Sequence, residues 1–245
     1  MSKGGHTIAE SLADVRAKVS RAAAGAGRKA EEVTVLAVTK EVSVEGIAEA
    51  FEADQRVFGE NYVQEASAKI SELHALGITP QFHLIGPLQR NKAGHAVALF
   101  ELIHSVDRLS LAEEIAKRAA QSGKVQRALI QVNISGEKTK SGISPGELCA
   151  FFKQAVTHPS IRWEGLMCIG TYAELGSPNA AQRKEYELMA SLRSQVEKEF
   201  GIWFPCLSMG MSNDYELAIE CGATIVRVGT AIFGERKNTV QELLL

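Results

Sequence analysis

A repeated change of period restricts this chain more than any other feature. Short apolar and β-branched runs alternate with longer stretches whose apolar residues recur every three or four positions. The short runs fit strands buried on both faces, and the longer stretches fit amphipathic helices. Strand and helix in regular succession are the units of a parallel sheet. The strand candidates are 34–40, 56–60, 81–86, 102–106, 128–134, 163–169, 205–209 and 224–228. After the first of them, Val44, Ile47, Ala48 and Phe51 make one helical face, and Leu111, Ala112, Ile115, Ala116 and Ala119 do so after the fourth. Ser144-Pro145-Gly146-Glu147 has the form of a capping box with proline at the first helical position.

Eight such units predict a single (β/α)8 TIM barrel. A doubly wound open sheet is the alternative, but no Gly-x-Gly-x-x-Gly follows any of the strands. An amphipathic stretch from about Thr7 to Ala24 adds an extra N-terminal helix. The expected division is a helical extension over 1–30, a barrel over 31–236 and a short tail over 237–245.

Charge and cysteine content narrow the function classes. Twenty-seven basic against twenty-nine acidic residues leave a net charge of −2. That balance argues against a chain built to coat nucleic acid or an acidic membrane. Cys149, Cys168, Cys206 and Cys221 form no Cys-x-x-Cys pair, so they read as thiols in a reducing compartment, with no metal site expected. The chain opens on no apolar leader and has no stretch long enough to span a bilayer, so the expectation is a cytoplasmic protein.

In such a barrel the chemistry gathers at the C-terminal ends of the strands. Lys40 ends the first strand, in phase with Leu36 and Val38. Partly desolvated at the mouth, it would be a nucleophilic amine able to form a Schiff base; as a solvated strand end it would do nothing. Ser208-Met209-Gly210-Met211-Ser212-Asn213-Asp214 follows the seventh strand and Gly229-Thr230 the eighth. Together they read either as an anion site or as a well-capped connection, with Asn213 and Glu216 as a capping box. Arg227 lies mid-strand, either facing inward toward an anion or outward toward a helix carboxylate. His83 reads as a core histidine or a site residue. The loop over 136–142 reads as a solvated loop or a flap carrying Lys138 or Lys140.

Several segments, in order, carry a resemblance. They are Ala37-Val38-Thr39-Lys40, Phe58-Gly59-Glu60-Asn61-Tyr62-Val63-Gln64-Glu65, His83-Leu84-Ile85-Gly86-Pro87-Leu88-Gln89 and Gln131-Val132-Asn133-Ile134. Lys140-Ser141-Gly142, Gly165-Leu166-Met167, Leu207-Ser208-Met209-Gly210-Met211-Ser212 and the run from Val226 to Gly234 complete the set. Taken together, the chain resembles the pyridoxal 5′-phosphate (PLP) homeostasis proteins, single-domain relatives of the alanine racemase N-terminal barrel. The resemblance implies PLP held as an internal aldimine on Lys40. It also implies phosphate contacts from Ser208, Met209, Ser212, Gly229 and Thr230, Arg227 at the pyridine nitrogen, Asn61 near the cofactor and His83 on the wall. After the lysine the family often has Thr-x-Pro, whereas here Glu41-Val42-Ser43 follows.

Two functions follow from that likeness. One is a monomeric carrier in vitamin B6 homeostasis, buffering PLP and supplying it to apo-enzymes. The other is a fold-type III amino-acid racemase-like enzyme with Lys40 as one base and Tyr62 or Tyr172 as the other. The carrier is the leading expectation, because no second domain or opposite-face base is evident along the chain. An arginine cannot give up its proton, so at the ring nitrogen it would leave the ring a weak electron sink. A lysine-dependent aldolase barrel without cofactor is a third possibility.

Overall fold

The computed structural model describes residues 6–137, 139–171 and 180–234. Lys138, Tyr172 and the expected tail over 237–245 lie outside them. Eight parallel strands close into a barrel in sequence order. They are β1 (Thr34–Val38), β2 (Val57–Glu60), β3 (Gln81–Leu84), β4 (Leu102–Val106), β5 (Gln126–Val132), β6 (Ile161–Cys168), β7 (Cys206–Met211) and β8 (Ile225–Val228). Closure comes from β1 on β8, with Thr34 opposite Ile225 and Ala37 opposite Val228. Every strand expected from periodicity is present, and the open sheet is excluded.

Two apolar layers hold the barrel. Leu36, Leu102, Leu129, Met167 and Ile225 fill the interior, joined by Val38, Val57, Ile85 and Cys206. The alternate residues pack outward against the helices: Ala37, Phe58, Phe82, Ile103, Ala128, Ile130, Leu166, Leu207 and Val226 all belong to that larger core. Strands buried on both faces are what the near-continuous apolar runs required.

The helix layer consists of α1 (Ile8–Gly25), α2 (Val44–Glu52), α3 (Val63–Ala75), α4 (Ala93–Leu99), α5 (Leu109–Gln121), α6 (Leu148–Ala155), α7 (Ala180–Phe200), α8 (Tyr215–Glu220) and α9 (Thr230–Phe233). Thr7 caps α1: its hydroxyl accepts the Glu10 N–H, and the Glu10 carboxylate accepts the Thr7 N–H at 2.8 Å. Leu12, Val15, Val19 and Ala23 bury one face of α1. That face packs on α8 and α9. Because α9 has only four residues, α1 fills the part of the layer that a full helix after β8 would occupy. The Ser144 capping box forms as expected, with Glu147 accepting from the Ser144 hydroxyl at 2.5 Å and its N–H at 3.2 Å.

No helix among the described residues is long and apolar enough to cross a membrane. Among the same residues no group of three His, Cys, Asp or Glu side chains is placed to hold a metal ion.

Candidate cofactor-binding site

A cavity of about 580 Å³ opens at the C-terminal ends of the strands. Val38, Asn61, Ile85, Gly86 and Pro87 line it from the exits of β1 to β3. Gln131, Thr139, Lys140 and Ser141 come from the β5 side, and Ile169 from β6. Met211, Ser212, Asn213, Asp214, Arg227, Gly229 and Thr230 complete it after β7 and on β8.

Arg227 is the anchor of this site. It points inward from β8 and is 5% exposed. Its Nη1 donates to the Ser208 hydroxyl at 2.8 Å and its Nη2 to the Cys168 carbonyl at 2.8 Å. A buried guanidinium is tolerated only with such acceptors, and here both are neutral. Burial weakens its charged form, yet arginine keeps its proton in proteins, so Arg227 stays a donor only.

Arg227 also begins a hydrogen-bonded row through the barrel interior. Ser208 Oγ lies 3.0 Å from His104 Nδ1, and His104 Nε2 lies 3.1 Å from His83 Nδ1. Ser208 Oγ accepts from Arg227, and with one proton and a second lone pair it can either donate to His104 Nδ1 or accept from it; the His104–His83 bond reverses with the tautomer. Burial pushes both imidazoles toward the neutral form: His83 falls to about 3, and His104 lies well below the ordinary value. The row runs through the barrel, because His83 lines a second cavity at the N-terminal ends of the strands, beside Arg127 and Cys206.

The β7 exit supplies the polar floor. Pairing with β8 slips between Ser208 and Met211, and Gly210 there has φ of +90°. A Cβ on Gly210 would stand 2.5 Å from Ala218 Cβ, so the bulge needs glycine. The bulge turns Met211 and Ser212 toward the cavity, and the Ser212 hydroxyl accepts the Gly229 N–H at 3.1 Å. Asp214 is fully engaged. Its Oδ1 accepts the Met211 N–H at 2.6 Å, and its Oδ2 accepts from Tyr186 at 2.9 Å and Gln182 at 3.0 Å.

The expected capping box of Asn213 with Glu216 is not the one observed. Asp214 occupies the cap of α8 and makes no side-chain cap bond there, since α7 and Met211 take its oxygens.

Lys40 stands at the rim rather than inside. β1 ends at Val38, and the Val42 N–H donates to the Thr39 carbonyl at 2.9 Å, so Lys40 lies on the turn that follows. Its amine is 3.5 Å from Glu41 Oε1 and lies over the Tyr62 ring, 5.6 Å from the centroid. The expected strand position for Lys40 is thus corrected by two residues. Lys40 itself does not line the cavity, whereas Val38, two residues before it, and Asn61, next to Tyr62, do.

Of the residues singled out from sequence, Asn61, Ser212, Arg227, Gly229 and Thr230 meet in the cavity. Ser208 lies beneath it holding Arg227, and Met209 is buried in the outer core. His83 is not brought to the cavity. The loop after β5 does reach it, through Lys140, whose amine binds Glu137 at 2.7 Å and the Gly170 carbonyl at 3.1 Å. The Asn133 side chain ties that loop down by donating to the Glu137 and Lys140 carbonyls. Sequence reasoning missed Gln131 and His104. Position at a strand exit is a signal that would have found Gln131. The thiol of Cys168 is pushed up to about 12 by burial and is unreactive near neutrality.

The donor set suits an anionic aromatic aldehyde: two cationic side chains, Lys140 and Arg227, four hydroxyls, Thr139, Ser141, Ser212 and Thr230, and apolar walls from Val38, Ile85 and Ile169.

The barrel and its β7–β8 polar floor define the class of the alanine racemase N-terminal domain, whose family model matches residues 11–237. Within that class the chain belongs to the family of the pyridoxal phosphate homeostasis proteins. It is 41% identical to the protein of that name from Aquifex aeolicus, over 93% of this chain and 98% of the other. The Escherichia coli K12 protein of the same name is also 41% identical, over 94% and 97%. PipY of Synechococcus elongatus PCC7942, solved with PLP bound, superposes with a TM-score of 0.80 at 35% identity, covering 93% of this chain and all of that one.

Proposed function

We propose that this protein binds PLP in the C-terminal cavity and acts as an intracellular carrier and buffer of the cofactor, handing it to apo-enzymes. Lys40 is the attachment point for the aldehyde. Arg227 faces the ring nitrogen, Asn61 lies beside the ring, and Ser212, Gly229 and Thr230 take the phosphate. When bound, PLP supplies a reactive aldehyde and an electron-withdrawing ring. The chain's own part is to hold them. Ser208 and the Cys168 carbonyl keep Arg227 fixed, and the Ser212 hydroxyl ties the two phosphate-side loops together.

The observation that carries this reading is Arg227: a buried donor-only cation, bound by neutral groups, that lines a donor-rich cavity beside a lysine. A donor-only group at the ring nitrogen does not supply the proton that strengthens the ring as an electron sink, which favours storage over transaminase-like chemistry. Membership of the homeostasis family supports the same reading, as does the PLP-bound relative. We further propose a cytoplasmic monomer.

The test is the spectrum of the purified protein with PLP, before and after borohydride reduction, with peptide mapping of the label. A visible band that is bleached by reduction and leaves its adduct on Lys40 is the expected result. A colourless protein, or a label on another lysine, would overturn it. Amino-acid racemisation well above that of free PLP, lost in Lys40→Ala, would favour an enzyme instead.

A further inference from the structure

The residue after Lys40 is held in an unusual conformation. Glu41 has φ of +64°, in the left-handed region that residues with a side chain rarely adopt. Its N–H donates to Glu65 Oε1 at 2.7 Å. The same oxygen accepts from Lys69 Nζ at 2.7 Å. Lys69 also donates to the Thr39 carbonyl at 2.6 Å and to Glu60 Oε1 at 2.9 Å. The Thr39 hydroxyl adds a bond to Glu60 Oε1 at 2.7 Å.

An ammonium has three protons, and all three of Lys69 are used. Glu60 is fully buried and Lys69 is 9% exposed. Burial pushes the Glu60 carboxyl up, and its bonds to Lys69 and Thr39 only partly offset this. Burial works against the Glu65 carboxylate too, but Lys69 and the Glu41 N–H outweigh it. Both acids thus depend on the one cation.

An ordinary strand-to-helix ion pair would explain the bonds among Glu60, Glu65 and Lys69. It does not explain why the cluster also takes the two peptide groups on either side of Lys40, the Thr39 carbonyl and the Glu41 N–H. The cluster also stands on the far side of the wall from the cavity. Gly59 faces the interior, where an added Cβ would meet Leu36 and Ile85, so Glu60 points to the layer between β2 and α3.

We propose that Lys69, Glu65 and Glu60 form a positioning cluster that fixes the left-handed turn from which Lys40 delivers its amine to the cavity. This deepens the reading of Lys40 as the PLP attachment point and rests on it.

The test uses the full chain and two readouts, the PLP concentration that half-saturates the visible band and the share of borohydride label on Lys40. Relief of the turn's strain in Glu65→Ala is expected to raise the half-saturating concentration about tenfold and scatter the label. Glu65→Gln keeps an oxygen for the Glu41 N–H and is expected to stay near wild type. Adding Glu41→Gly to Glu65→Ala is expected to restore most of the loss, because glycine adopts this φ without strain. Glu41→Val, a β-branched residue that resists positive φ, leaves the cluster's side chains intact and should reproduce the loss. It decides the matter if Glu65→Ala does not fold. Wild-type saturation in Glu65→Ala or Glu41→Val, or failure of glycine to rescue, overturns the positioning role while the PLP reading stands. A wild-type protein without the band removes both.

Discussion

The Arg227 guanidinium donates to the Ser208 hydroxyl at 2.8 Å, and Ser208 in turn lies 3.0 Å from His104 Nδ1, so one hydroxyl joins the buried cation to the histidine pair. Ser208→Ala leaves an Arg227 N–H and the His104 Nδ1 without their partner. Unfolding in urea should show a loss of about 1–3 kcal/mol, the cost of stranding a buried polar group. The PLP band should also shift in wavelength or weaken, because Arg227 is no longer held. A variant as stable as wild type with an unchanged spectrum would show that Arg227 does not need Ser208.

Acid should destabilise the protein before its carboxylates are protonated. His83 and His104 are both held below the ordinary histidine value, His83 at about 3. The unfolded chain takes up protons on these side chains near pH 6.5, and the folded chain does not. Their contribution is therefore complete above about pH 6.5 and is lost as the pH falls from there toward about 3. Each histidine adds a slope of up to about 1.4 kcal/mol per pH unit inside that window. Urea midpoints measured between about pH 7 and pH 5 should fall accordingly. His83→Gln, whose amide can donate to His104 Nε2 or accept from it, should flatten the fall. An equal slope in that variant would place the acid sensitivity elsewhere.

Lys40 should matter to chemistry and hardly at all to folding. Its amine pairs with the exposed Glu41 carboxylate at 3.5 Å. Such a pair is worth about 0–1 kcal/mol. Lys40→Ala should therefore unfold within about 1 kcal/mol of wild type. It should lose the borohydride-fixed adduct entirely, as followed by intact mass. A large loss of stability would mean that the lysine has a structural duty.

Gly86 sets the approach of two neighbouring strand exits. A Cβ there would stand 2.3 Å from the Asn61 carbonyl oxygen and 2.7 Å from its Cα. Backbone cannot rotate out of the way as a side chain can, so Gly86→Ala must displace Asn61 at the cavity edge. The expected cost is about 1–3 kcal/mol in urea unfolding, typical of forced overpacking. PLP retention during dialysis should also become weaker. Unaltered retention would remove Asn61 from the cofactor's surroundings.

Much of this protein was legible from its residues in order. Strand and helix periods are local properties, so the alternation from Thr34 to Val228 specified eight βα units and their closure without any distant information. Capping is local as well: Thr7 with Glu10 and Ser144 with Glu147 form as their spacing required. Where a local signal failed, a distant partner had won. Asp214 rather than Asn213 takes the cap position of α8, and its Oδ2 is held by Tyr186 and Gln182 of α7, 28 and 32 residues away.

The amine and the loops after β7 and β8 were visible as residue types at strand ends, and the arginine as a mid-strand cation whose direction was open; the chain by itself determined the barrel and this inventory. Only the tertiary structure decided how they are held. His104 meets Ser208 across 104 residues, and Lys69 reaches the Thr39 carbonyl across 30. Hydrogen bonds of that kind leave no period in the sequence. They exist because closing the barrel brings β4 against β7 across its interior and seats α3 behind β2, beside the end of β1, and burial then obliges each polar group to find a partner.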